Sequence, residues 1–298
     1  MDAGVWQDGS VRRPLFGWDE ARELAFMGHE IASHTETHRD LAAHPDEAES
    51  ELRRSLADLR RELPWVQVFS LGWPYWRSSE EAILASEGLY FAARAGGITA
   101  FPGDPHLGGV NGASPAEFMR IGARGILSGD GEEELLPILD EVYTNGGWLI
   151  PNFHGFRDDR IDGASAGWEP LPMESFRSIL DTLAELDIWF APFGEVASYA
   201  RQRDSLQLNS NVVKNGWRIN YSSSLDSRVY SHPLTLILQL PEGNKVRRAR
   251  LKKESRDLPF LRLTGDEYSG QNAYLIEVPA GSGSVLIERG FSIPPAGA

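Results

Sequence analysis

Cysteine is absent from this chain of 298 residues. Its absence excludes disulfides, thiol nucleophiles and thiolate metal centres, and leaves histidine, aspartate and glutamate as the strong metal ligands. Long apolar runs are also missing. None approaches the roughly 18 residues that a membrane-crossing helix needs, so no membrane partner is expected. Positive charge is scarce: 29 Lys and Arg stand against 43 Asp and Glu, a net charge of −14. Such a surface repels phosphate backbones, and nucleic acid is not an expected partner. The one basic stretch, Lys245-Val246-Arg247-Arg248-Ala249-Arg250-Leu251-Lys252-Lys253, alternates charge with apolar residues and reads as one face of an exposed strand. Met1 to Trp6 has neither the basic nor the apolar region of a signal peptide.

What is present is ordinary for a globular protein. Apolar residues make up 41% and charged residues 24%, enough to bury a sizeable core. The length suits one large α/β domain or two smaller ones. Over the first two-thirds, helical and strand patterns alternate. Helices are predicted from Trp18 to Gly28, from Pro45 to Pro64 with Leu52, Leu56, Leu59 and Leu63 on one face, over 79–86, over 132–143, over 173–186 and over 194–203. Strands are predicted at Glu30–Ser33, Val66–Leu71, Leu89–Ala93, Gly147–Phe153 and Ile188–Ala191, with a Gly- and Pro-rich loop over 96–112. This order predicts parallel strands wrapped by helices, with any ligand at the C-terminal strand ends. From about Ser205 the pattern becomes short strands separated by turns such as Pro241-Glu242-Gly243-Asn244, and the tail Pro294–Ala298 reads as disordered. Two domains are expected: 1–204, of α/β class, and 205–298, a small all-β, sandwich-like domain.

Seven histidines carry the chemistry to be weighed. His34 and His38 follow a predicted strand and lie four apart, so on a helical or tight turn both imidazoles face one side and can share a cation. His29 precedes that strand and reads as structural. His154 ends the apolar run Trp148-Leu149-Ile150-Pro151-Asn152-Phe153 and suits either a satisfied rim residue or an acid–base group. His44, His106 and His232 fall in loops. Trp73, Pro74, Tyr75 and Trp76 follow another predicted strand, where exposed aromatics suit stacking on sugar faces and core packing is the plainer alternative.

Together these segments resemble a known family. His34-Thr35-Glu36-Thr37-His38 is similar to the His-Ser/Thr-x-x-His motif of the polysaccharide deacetylases with a NodB-homology domain (carbohydrate esterase family four), and Met27-Gly28-His29-Glu30-Ile31 matches its lead-in. Trp73-Pro74-Tyr75-Trp76 resembles the Arg-Pro-Pro-Tyr-like groove loop, with the Arg absent and Trp76 in place of Gly. Leu149–Gly155 resembles the segment that carries the family's catalytic histidine. The resemblance spans roughly Trp18 to Arg203. It implies a distorted (β/α) barrel, here missing its first strand, in which His34 and His38 bind a divalent metal, Zn²⁺ or similar. It also implies that His154 is the catalytic acid, and that Trp73, Pro74, Tyr75 and Trp76 line the groove for an acetylated carbohydrate substrate.

The family's Thr-Phe-Asp-Asp-Gly motif, which supplies the third ligand and the general base, is not in this sequence, and Asp2 and Asp8 stand in the wrong context to replace it. The expectation is therefore a chain cut short at its N-terminus, with impaired activity. Extracytoplasmic location or secretion follows from the family alone. The alternatives are an inactive carbohydrate-binding relative and an interaction protein whose β domain is the working part.

Overall fold

In a computed structural model, the residues described are 5–8, 11–14, 16–96, 110–158, 169–265, 268 and 271–291. His106, Asp2 and the tail from Pro294 lie outside them, as does most of the predicted loop over 96–112. The chain divides into two compact units, Met1–Ala197 and Ser198–Ala298. The expected boundary fell at 204/205. The division comes earlier because one helix, Phe193–Ser205, runs across it.

The first unit opens with an antiparallel hairpin, β1 (Val5–Asp8) and β2 (Val11–Pro14), which the sequence reading did not anticipate. Helix α1 (Trp18–Phe26) follows; Glu20 reaches back to accept from the Gly17 amide at 2.9 Å, and Gly28 ends the segment at φ +94°. Only the mirror-handed backbone freedom of glycine makes that exit free of strain. Helix α2 (Ala48–Glu62) buries Ala48, Glu51, Leu52, Ser55, Leu56 and Leu59, a stripe at three- and four-residue spacing.

Beyond it the chain lays down short parallel strands. Ser33 bridges to Leu71 in β3 (Ser70–Gly72). After α3 (Glu80–Ser86), β4 (Ala92–Ala95) pairs with β3 on one side and with β5 (Ile121–Gly122) on the other. The adjoining β6 (Arg124–Gly125) pairs, across α4 (Glu132–Asn145), with β7 (Pro151–Asn152). Ser33, β3, β4 and β5 thus lie side by side in chain order, all parallel, and β6 with β7 forms a further parallel pair. A further parallel pair, β8 (Phe156–Arg157) and β9 (Leu171–Pro172), precedes α5 (Met173–Ala184) and α6 (Phe193–Ser205). Among the described residues no pairing closes this run into a barrel. The predicted strand at Ile188–Ala191 is irregular backbone. Trp189 and Phe190 are each about half exposed, so that run buries too little to be held in a sheet.

The second unit is antiparallel. One sheet orders β10 (Gln207–Val213), β11 (Gly216–Ser222), β17 (Gly283–Phe291), β13 (Asn244–Leu251) and β14 (Arg256–Leu258); the other orders β12 (Leu234–Gln239), β16 (Ala273–Val278) and β15 (Phe260–Arg262). Ile219, Val246, Val285 and Ile287 from the first sheet share one core with Leu234, Leu236, Ile276 and Val278 from the second. A bulge between Val246 and Arg248 resets the alternation of the basic strand, so Val246, Ala249 and Leu251 all point inward. Its arginines meet carboxylates: Arg248 and Arg250 pair with Asp257, and Arg247 with Glu288.

Candidate functional site

The histidine loop and the aromatic loop stand at the C-terminal ends of the first parallel segments, one after Ser33 and one after β3. Their backbone is strained. Six described non-glycine residues have positive φ, and four of them are Thr35 (66°), His38 (59°), Tyr75 (54°) and Trp76 (64°). Side chains rarely adopt that region without surrounding structure to hold them, and such outliers concentrate at functional sites.

Buried polar groups supply the hold. Glu51, on the inward stripe of α2 and only 7% exposed, accepts from the amides of Glu36 and Thr37 at 3.0 and 2.9 Å and from the Thr37 hydroxyl at 2.8 Å. The Thr35 hydroxyl accepts from the Arg39 amide at 3.1 Å, and Ser55 on α2 shares a 2.9 Å hydrogen bond with Ser33. Asp40 and Arg77 form an ion pair that ties the first loop to the second. Motif reading passed over Glu51 and Ser55. Their place at i+3 and i+7 from Ala48, among the buried leucines, was the signal that they face inward.

The imidazoles come together. The rings of His34 and His38 are 4.8 Å apart, edge to face, and His38 meets Tyr75 at 4.9 Å. His34 Nδ1 lies 2.6 Å from the Gly72 carbonyl oxygen. A carbonyl only accepts, so Nδ1 carries the proton and Nε2 keeps its lone pair, the tautomer a metal-ligating histidine needs. Desolvation, reinforced by the nearby Arg94, His38 and His154, pushes the His34 imidazole down to about 4, so it is neutral at physiological pH. Gly72 permits the approach: a Cβ there would meet Arg94 Nη2 at 2.6 Å and His34 Nδ1 at 3.3 Å. His154 stacks against Trp76, ring centroids 5.9 Å apart and 28° between planes.

The aromatic loop departs from expectation. Trp73 and Pro74 are buried; Trp73 is 0% exposed and sits in the core of the first unit, its indole N–H donating to the Met119 carbonyl at 2.8 Å. Neither can line a groove, because each fills the space under the loop. Trp76 is also enclosed, at 8%, between His154 and the Arg94 guanidinium. Tyr75, 53% exposed, is the member of the four that offers an open face. His29 and His44 have no place in this cluster, and His232 belongs to the second unit.

Beside the histidines lies a cavity of about 390 Å³ lined by Glu30, His34, Gly72, Arg94, Asn152 and Phe193 among others. Glu30 is committed to the scaffold: it accepts from the Ser70 hydroxyl and from the Gly194 amide, the latter at 2.7 Å. Among the described residues, no group of three or more His, Asp and Glu is arranged to hold a metal ion. No described helix is long and apolar enough to cross a membrane.

No family model matches the chain. It is 27% identical over 293 residues to a gellan lyase from a Bacillus species, an alignment that takes in 89% of this chain and 11% of that protein's length. The chain therefore spans about a ninth of this curated relative. Among solved structures, a de-N-acetylase from Aggregatibacter actinomycetemcomitans is 20% identical over 35% of this chain and 52% of its own, with a TM-score of 0.28. An α-L-fucosidase from Bacteroides thetaiotaomicron is 12% identical over 80% and 61%, with a TM-score of 0.25. TM-scores this low carry no argument about the fold. The likenesses found are to enzymes, among them one named for a polysaccharide.

Proposed function

We propose that the chain is a carbohydrate-processing protein of the deacetylase kind, with a NodB-like distorted (β/α) barrel over 1–204, a sandwich-like accessory domain over 205–298, and an acetylated glycan as its substrate. The observation that carries this reading is the His34 tautomer: its Nδ1–H donates to the Gly72 carbonyl, and its Nε2 keeps its lone pair beside His38. Sequence likeness to a gellan lyase and local likeness to the deacetylase motifs support a glycan substrate. The same resemblance supports an extracytoplasmic location.

The donor set is short. A catalytic zinc has three protein ligands, and two imidazoles without a carboxylate make an incomplete set, with no described residue to complete it. This polypeptide therefore holds a divalent ion weakly. The chain's own residues contribute in other ways. Tyr75 presents a stacking face for a sugar ring, His154 supplies the proton to the departing amine or hydroxyl, and Glu51 keeps the His34–His38 loop in its strained form.

Zinc titration and acetate release test this reading. Weak, sub-stoichiometric zinc uptake that is lost in His34→Ala and His38→Ala is expected, with acetate released slowly from an acetylated oligosaccharide. Uptake indifferent to both substitutions would remove the metal reading, and tight stoichiometric binding with rapid turnover would overturn the claim of impairment. A second reading, an inactive glycan-binding relative, is favoured by the same shortage of ligands. It prevails if the glycan binds and no acetate appears.

A further inference from the structure

We infer that Arg94 is a carboxylate receptor, and that the ligand of this cavity seats one anionic carboxylate against it, beside His34. The inference rests on the proposed site for the identity of the ligand, and on the geometry of Arg94 for the receptor. Arg94 extends from β4 into the cavity, with its guanidinium carbon 5.3 Å from the centre of the Trp76 ring. Gly72 lacks the side chain that would block it.

The side chain is largely enclosed, and burial alone pulls it down to about 10, so it stays protonated at neutral pH. Among the described residues no carboxylate offsets that burial. Arginines elsewhere in the molecule have carboxylate partners, as Arg22 has Glu62, Arg39 has Glu47 and Arg120 has Glu80. Arg94 has none among the described residues. Glu30, on the same cavity wall, is already taken by Ser70 and the Gly194 amide.

An enclosed charge without a counter-ion is costly to keep, and a guanidinium matches a carboxylate with two parallel hydrogen bonds. His34 and Asn152 line the same cavity and offer polar groups beside the guanidinium. A carboxylate reaching this point has two sources: a uronate in the glycan, or the acetate that deacetylation releases.

The test uses the full chain stripped of metal with chelator, so that it reads binding and not turnover. Calorimetric titrations compare three probes: sodium acetate, a glucuronate-containing oligosaccharide, and the same oligosaccharide with its carboxyls reduced to alcohols. On the unaltered protein the acidic oligosaccharide is expected to bind roughly tenfold to a hundredfold more tightly than its reduced form, the span of a charge-assisted contact, and Arg94→Gln should abolish the difference. Arg94→Lys, which keeps the charge and loses the fork, should recover part of it. If acetate alone shows dependence on Arg94, the receptor belongs to the product.

Equal affinity for the acidic and reduced oligosaccharides together with acetate binding indifferent to Arg94→Gln, or no binding of either carboxylate at millimolar concentration, overturns the inference. The oligosaccharide comparison on the unaltered protein needs no variant to fold. A failure of acetate release would sink the deacetylase reading and leave this result standing.

Discussion

The two units hold themselves together in opposite ways. The second rests on strands of six to nine residues in continuous antiparallel ladders around an apolar core, as in β11, β12, β13, β16 and β17. The first rests on parallel strands of two to four residues, and its two chemically interesting loops sit in strained backbone fastened by Glu51, Thr35, Ser33 and Ser55. Regular ladders satisfy every backbone group locally and leave little for side chains to do. Loops that present histidines at a strand end have no such ladder, so a carboxylate from a neighbouring helix takes its place. The lesson is that the site's precision is bought with buried polar contacts, and that they are its weak point.

The largest expected effect follows from removing that carboxylate. Glu51→Ala strands two backbone amides and a hydroxyl, and at about 1–3 kcal/mol for each unmet group the loss is about 3 kcal/mol or more in chemical denaturation, with zinc uptake lost alongside. If Glu51→Ala leaves both stability and metal uptake untouched, the contrast between the units fails. Next comes Gly216→Ala, at the first residue of β11. Gly216 has φ +150°, and a Cβ would stand 1.9 Å from the Ile287 carbonyl oxygen. A loss of about 2 kcal/mol or more is expected, confined to the unfolding of the second unit, with the histidine site still able to take up zinc.

A smaller effect separates the units by acid. The His34 imidazole is held down to about 4 from an ordinary 6.5, chiefly by desolvation, so its contribution to stability is complete above pH 6.5 and is lost as pH falls through about 4. In the second unit, hydrogen bonds from Arg228 hold Asp226 at about 2 against an ordinary 3.8, so that contribution persists above 3.8 and is lost only as pH falls through 2. Proton NMR of the His34 ring from pH 8 to 3 should give a midpoint near 4; a midpoint near 6.5 would mean the ring is not desolvated. Smallest is Tyr75→Gly. Relief of the backbone strain at φ 54° should raise stability by at most about 1 kcal/mol, while affinity for an oligosaccharide falls with the loss of the stacking face. A rise in affinity instead would remove Tyr75 from the site.

Much of this was legible before any coordinates. The leucine stripe of α2 and the helix limits set by Gly28 and Pro64 are local patterns, and the structure follows them closely. The pairing of His34 with His38 was legible from spacing, since four residues of tight backbone bring two rings to one side. The two-residue strands β5, β6, β8 and β9 were not, because so short a run carries no periodicity, whereas β7 falls inside the predicted strand at Gly147–Phe153. The burial of Trp73 was equally hidden: an aromatic after a strand looks the same in sequence whether it faces solvent or core.

The amino-acid sequence by itself determined the periodic elements, the absence of thiol chemistry, the acidic surface and the identity of the histidines, because each depends on residue type and near-neighbour spacing. Tertiary structure alone decided which nitrogen of His34 keeps its lone pair, that Glu51 on a distant helix closes the loop, and that Arg94 lines the cavity with no carboxylate partner among the described residues. Those are relations between side chains far apart in the chain. Their energies depend on distance and on exclusion of water, and neither quantity exists until the chain has folded.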